Sequence, residues 1–244
     1  LFVVLVIAQL IYWDLMMKLT LIFSYRGAVK LVDRRVSGWA RRLFALAHLY
    51  VGLKLQLHQS PVEIPERFIL LANHQSLADI AALMASFRGR SIRFVAKAEL
   101  RHGFPAVSQV LRLQRHALIE RHGNFTATMR EIELLGKRSR RRGWCPVIFP
   151  EGTRSRDGVV KTFHAGAVRR LADSTGFPIL AVAIDGGHQV ARLSDFLVTQ
   201  VDQTYRIKPL AVYRPATGKQ ELRAQLADAQ ERIAHEVANW QGRH

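Results

Sequence analysis

Apolar residues fill the start of the chain almost without a break. Between Leu1 and Trp13 only Gln9 is polar, and after Asp14 and Lys18 the apolar character resumes through Leu19, Leu21, Ile22 and Phe23. Asp14 and Lys18, four residues apart, can pair on one helix face. The segment is long enough for a spanning helix of about 20 mostly apolar residues and equally for a helix half-buried in the interface. No small-residue cleavage site follows a short apolar core, which disfavours a removed signal peptide. Residues 29–50 then carry Val32, Val36, Trp39, Leu43, Leu46 and Tyr50 at spacings of four and three, one apolar stripe of an amphipathic helix. Lys30, Arg34 and Arg41 fall opposite it, with Arg35 and Arg42 on its flank. Beside an apolar N-terminus, this pattern predicts arginines among anionic lipid headgroups. Residues 1–57 are thus expected to form a two-helix membrane-docking hairpin.

Beyond Pro65 the rhythm changes. Short apolar runs lie at 68–72, 92–96, 117–120, 147–149, 179–184 and 205–212, and helical periodicity fills 77–86, 106–111, 126–137 and 166–174. Leu222, Leu226, Ile233, Val237 and Trp240 close the chain at helical spacing. Alternation of this kind predicts an α/β fold, a mostly parallel twisted sheet flanked by helices, over residues 58–244. The run 137–142, one Lys, four Arg and one Ser, reads as a solvated helix end or loop, with contact to phospholipid or an acidic carrier as the alternative.

Composition narrows the partners. Of 244 residues, 49% are hydrophobic, ample for one domain's core. The single Cys145 excludes a disulfide framework and a cysteine metal cluster, and its apolar run reads as an inert buried thiol. A formal charge of +17 requires an anionic partner: nucleic acid, an anionic membrane surface, or an acidic carrier or substrate. Zinc-finger spacing, an aromatic-basic RNA signature and basic-zipper heptads are all missing from the sequence, so nucleic acid is not the expected partner.

Candidate chemistry begins where the run 68–72 ends, at Asn73-His74-Gln75-Ser76-Leu77-Ala78-Asp79. A side chain at the C-terminal end of a parallel strand opens into the crevice where such sheets bind ligands. Residues five apart on a continuous helix point about 140° away from each other. His74 and Asp79 therefore meet only if His74 lies in the turn and Asp79 in the first turn of the next helix. The carboxylate would then fix the imidazole tautomer and leave the other nitrogen to accept a substrate proton. Ser76 reads as a turn or cap residue. The run 147–149 leads into Pro150-Glu151-Gly152-Thr153-Arg154-Ser155, where Pro and Gly around a glutamate dictate a tight turn at the same sheet edge. Arg154 there can bind a phosphate bidentately, with Thr153 and nearby amides as further donors.

Together the two blocks, in this order and mutual distance, resemble the glycerolipid acyltransferase family, and in particular bacterial 1-acylglycerol-3-phosphate acyltransferases. The resemblance covers about residues 65–185. It extends to Lys97 before Glu99-Leu100 and to Arg121 after Ile119-Glu120. It departs from the family at Arg115, where a glycine is usual, at His164, where a lysine is frequent, and at Ala181, where a second proline is usual. The resemblance implies acyl transfer from a thioester, on coenzyme A or acyl carrier protein, to a lysophospholipid hydroxyl. His74 would act as base and Asp79 as its orienter. Lys97, Arg121, Glu151, Gly152, Thr153 and Arg154 would hold the acceptor's phosphate and glycerol, with Glu151 orienting Arg154, Arg121 or a glycerol hydroxyl. No metal or cofactor is implied, and backbone amides near Gly152 would stabilise the oxyanion. Donor supply and basic flanks imply the cytoplasmic face of the inner membrane. The departures leave open another acceptor, such as a lyso-aminolipid or glycerol 3-phosphate. Water in the acceptor's place would make the protein a thioester hydrolase. A non-catalytic basic protein is the remaining alternative.

Overall fold

The computed structural model describes residues 1–120, 124–190 and 203–242. The six apolar runs form strands β2 (Ile69–Ala72), β3 (Ile92–Lys97), β4 (Ala117–Ile119), β5 (Cys145–Ile148), β6 (Ile179–Asp185) and β7 (Thr204–Tyr213). A further strand, β1 (Lys54–Leu57), falls inside the segment the sequence pattern assigns to the hairpin. Lys-Leu-Gln-Leu is too polar to stand out as an apolar run, and its place is set by pairing, with Leu55 opposite Tyr205. The seven strands form one sheet in the order β1-β7-β6-β2-β5-β3-β4. The five from β6 to β4 run parallel, whereas β7 is antiparallel to β6 and carries β1 parallel to itself. The sheet is therefore mixed, its parallel part reaching the β4 edge and the β7–β1 pair completing the other side.

Helices cover both faces. On one lie α1 (Phe2–Phe23), α2 (Tyr25–Val51), α3 (Ala78–Ser86) and α4 (Val107–Leu113). On the other lie α5 (Phe125–Arg142), α6 (Ala165–Thr175) and α7 (Lys219–Trp240). Strand β2 shows why a continuous apolar run was needed: Leu70 and Ala72 pack towards the first layer, Ile69 and Leu71 towards the second, all fully buried. The basic run at 137–142 is the end of α5, capped by Gly143, and Cys145 is buried, with its thiol pushed up by burial.

The first two helices form a hairpin joined to the core. Trp13 stacks on Trp39 with ring centroids 5.2 Å apart, and Met17 is fully buried. Asp14 pairs with Lys18 at 2.7 Å, and its other oxygen accepts the Ala106 N–H at 3.0 Å, just ahead of α4. Ile7, Ile11, Leu15, Leu19 and Ile22 stay exposed on the outer side of α1. Among the described residues, α1 is the one helix long and apolar enough to cross a membrane. On α2 the buried face begins at Ala28 and Val32 but drifts, in the second half, to Phe44, Ala47 and Val51 rather than Leu46 and Tyr50. The reason is the partner: Phe44 meets Tyr205 edge-on at 5.5 Å, which turns that half of the helix towards β7.

Two local features matter later. Arg115 adopts a φ of 55°, a left-handed conformation that favours glycine, and it is the position where the resembled family usually carries one. The neighbouring His116 is buried: its Nδ1 accepts the Phe94 N–H at 2.8 Å and its Nε2 meets Gln114 Oε1 at 3.1 Å. Burial, then the Arg93 charge, lower its pKa from 6.5 to about 3. The unfolded chain therefore takes up this proton first, so the stabilisation is complete above about pH 6.5 and is lost as the pH falls towards 3. Between pH 7 and 5 the wild type should lose roughly 2 kcal/mol more stability than His116→Gln, as read by urea denaturation. Parallel pH curves for the two proteins would contradict the assignment.

Candidate active site

Because β2, β5 and β3 run parallel, their C-terminal ends deliver His74, the Glu151 turn and Lys97 to one edge of the sheet. His74 sits in the turn after β2 and Asp79 in the first turn of α3, and His74 Nδ1 lies 2.6 Å from Asp79 Oδ2. The carboxylate is completely buried. Its Oδ2 also accepts the N–H groups of Gln75 (2.7 Å) and Ser76 (2.9 Å), while its Oδ1 accepts the Tyr205 hydroxyl. Burial, then the Asp79 charge, push the Tyr205 phenol well above its ordinary value, so Tyr205 remains the donor. These contacts use the acceptor capacity of Asp79 on four donors, one of them the imidazole. Nδ1 is thereby held as the N–H nitrogen and Nε2 as the acceptor. The His74 ring lies flat on Phe149, 4.1 Å between centroids, and its side chain keeps 11% exposure.

The two sequence blocks are tied together at His74 itself. Its N–H donates to Glu151 Oε1 at 2.8 Å, and its carbonyl accepts the Ser155 N–H at 2.7 Å. Glu151 is 3% exposed and uses its second oxygen on the Lys161 N–H at 3.1 Å. Its partners are thus backbone amides, in place of the arginines or glycerol hydroxyl expected from the sequence. Burial raises this carboxyl, and the two N–H donors oppose the rise. Gly152 adopts a φ of 68°, and its N–H closes the turn on the Phe149 carbonyl at 3.1 Å. Of the amides proposed for the oxyanion, that one is therefore already engaged. Thr153 is exposed and Arg154 half-buried at the turn's outer side. Lys97 ends β3 half-buried, its ammonium 3.5 Å from Glu99. Arg121 lies outside the described residues.

Several positioning residues were not singled out from sequence. Asn73 exchanges two hydrogen bonds with the backbone of Ile184, both 2.8 Å, clamping the His74 turn to β6. Gln75 Oε1 accepts the Gly187 N–H at 2.9 Å. A Cβ on Gly187 would lie 2.7 Å from Tyr205 Oη and 2.9 Å from Asp79 Oδ1, so only glycine lets this turn pass so close to the carboxylate. Polar residues directly after an apolar strand were the available signal for Asn73 and Gln75. Tyr205 had none, since its partner is 126 residues away. Beside this edge lies an apolar cavity of about 200 Å³ between α1, α2, α3 and α4, walled by Trp13, Trp39, Leu77, Ile80 and Leu100.

A buried His74–Asp79 pair on the edge of a helix-covered α/β sheet, beside an apolar cavity, is an arrangement that suits acyl transfer. Residues 54–185, over half of the chain, match the family model described as Acyltransferase, and the chain belongs to that family. It is 29% identical over 168 residues to a 1-acyl-sn-glycerol-3-phosphate acyltransferase of Limnanthes douglasii, covering 66% of this chain and 58% of that one. It is 28% identical over 167 residues to a protein of the same description from Pseudomonas aeruginosa, covering 68% and 62%. The chain thus spans less than two thirds of the length of these relatives. Among solved structures it is similar to the 1-acyl-sn-glycerophosphate (LPA) acyltransferase PlsC of Thermotoga maritima. There the TM-score is 0.72 at 23% identity, over 99% of this chain and 97% of that one, which shows a shared fold.

Proposed function

We propose that the protein transfers a fatty acyl group from an acyl thioester, on coenzyme A or acyl carrier protein, to the free hydroxyl of 1-acyl-sn-glycerol 3-phosphate, giving phosphatidic acid. The observation that carries this reading is the buried Asp79–His74 pair, 2.6 Å apart, with Nε2 free of hydrogen bonds from the described residues. Nε2 takes the hydroxyl proton as the oxygen attacks the thioester carbon. The tetrahedral intermediate then expels sulfur, and the proton passes from Nε2 to the leaving thiolate. No enzyme nucleophile is consumed. The apolar cavity beside Leu77 suits an acyl chain. Arg154, Thr153, Gly152, Lys97 and Arg121 would receive the phosphate and glycerol, with Glu151 bracing the turn. The relatives' descriptions support the acceptor. The exposed apolar side of α1 supports docking on a membrane, which donor supply places at the cytoplasmic face of the inner membrane.

The test is to incubate purified protein with an acyl thioester and the lysolipid, reading diacyl product and free thiol together. Diacyl product with stoichiometric thiol would support the proposal. Thiol release without the acceptor would make the protein a hydrolase, and product from a lyso-aminolipid alone would change the acceptor. Tyr205→Phe keeps the ring against Phe44 and removes one donor from Asp79. It should lower kcat about 3- to 10-fold with KM and melting temperature nearly unchanged; a change confined to KM would argue against a positioning role.

A further inference from the structure

A second cavity, of about 530 Å³, lies between the first half of α2, the end of α3 and the start of β3. Its walls carry Arg34, Arg35, Arg41, Arg88, Arg90 and Arg93 against the single carboxylate of Asp33. That carboxylate is already occupied, accepting from Arg93 at 2.7 Å and from Gln114 at 3.0 Å. Arg90 donates to the Glu66 carbonyl. Arg34, Arg35, Arg41 and Arg88 have no ion pair among the described residues. Arg93 is 2% exposed, and its Nε, like the Ser37 hydroxyl on the same wall, is buried without a hydrogen-bond partner. Buried donors in native proteins are normally satisfied. Gly38, mid-helix on this wall, has nothing within 4 Å of where its Cβ would stand. Such a glycine costs about 1 kcal/mol relative to alanine, and no packing contact explains it.

This cavity is not the acceptor site described above. Arg93 is the second residue of β3, whereas His74 follows the opposite, C-terminal end of the parallel strand β2, so a strand's length of about 15–20 Å separates them. We propose that the cavity is a binding site for the phosphomonoester headgroup of an anionic membrane lipid, holding the hairpin on the bilayer. A phosphomonoester offers three acceptor oxygens and a charge of about −1.5 to −2 at neutral pH. That matches several unpaired guanidinium groups and two orphaned donors better than a singly charged phosphodiester does. A lipid is favoured over a soluble phosphate because α2 pairs along its length with α1, whose exposed Leu15, Leu19 and Ile22 form an apolar surface beside it.

The full chain would be floated with phosphatidylcholine vesicles containing either phosphatidic acid or phosphatidylglycerol at matched surface potential. Wild type should favour phosphatidic acid about tenfold. The pair Arg34→Gln/Arg88→Gln should erase that preference, whereas Arg140→Gln/Arg141→Gln, equal in charge and on α5, should keep it. Equal losses from both pairs, or no preference in the wild type, would overturn the site. Calorimetric binding of glycerol 3-phosphate through Arg34 and Arg88, without any vesicle preference, would overturn the lipid as occupant. Acyl transfer to detergent-dispersed lysolipid should be the same in wild type and Arg34→Gln/Arg88→Gln. A wild type inactive in that assay would count against the proposed function and leave the flotation result standing.

Discussion

Replacing His74 with alanine is expected to lower kcat for acyl transfer by about 10²- to 10⁴-fold, the usual contribution of a positioned general base, with KM for the lysolipid little changed. The fold should survive the change. The two bonds tying this turn to the Glu151 loop use the His74 backbone N–H and carbonyl, which alanine retains. The buried ring contact with Phe149 is lost, but Asp79 keeps its other three donors, so melting should fall by only a few degrees. Steady-state assays of diacyl product beside a thermal melt would check both statements. A variant that folds and still transfers acyl groups at more than about a tenth of the wild-type rate, less than the smallest loss expected of a general base, would remove His74 from the base role.

The sheet was legible because its central strands are buried on both faces and so read as unbroken apolar runs, as Phe68 to Ala72 does. The meeting of His74 and Asp79 was legible because their spacing is incompatible with one helix, which forces the turn-then-helix arrangement seen. Edge strand β1 was not, since Lys54 and Gln56 face outwards and nothing local distinguishes it from a loop. Neither was Tyr205: a strand tyrosine reads as packing until its hydroxyl is seen against a carboxylate from 126 residues earlier. Glu151 shows a different limit. Its presence in a turn beside an arginine suggested a partner of opposite charge, yet the turn folds inward and gives the carboxylate two backbone N–H groups. Sequence spacing constrained which residues reach the edge, but long-range pairing decided which way each one faces.

Asp79 separates orientation from electrostatics. In Asp79→Ala the N–H groups of Gln75 and Ser76, the Tyr205 hydroxyl and the His74 Nδ1–H all lose their acceptor in a fully buried place. Each orphaned donor costs about 1–3 kcal/mol, so this variant should lose several kcal/mol of stability and as much activity as His74→Ala. Asp79→Asn should behave differently. Three of the four donors converge on Oδ2 and therefore fix the amide oxygen there, while the amide NH₂ turns to Tyr205, whose hydroxyl can accept as well as donate. The Nδ1–H bond and the tautomer then persist, and what disappears is the negative charge facing the imidazolium formed during proton transfer. A hydrogen bond to a charged group is worth about 1.5–3 kcal/mol, which predicts a 10- to 150-fold loss in kcat with near-native melting. A folded Asp79→Asn as inactive as His74→Ala would mean that the amide had turned and the tautomer had switched. A fully active one would leave the negative charge of Asp79 with no part in the reaction, its orienting bond to Nδ1–H being retained.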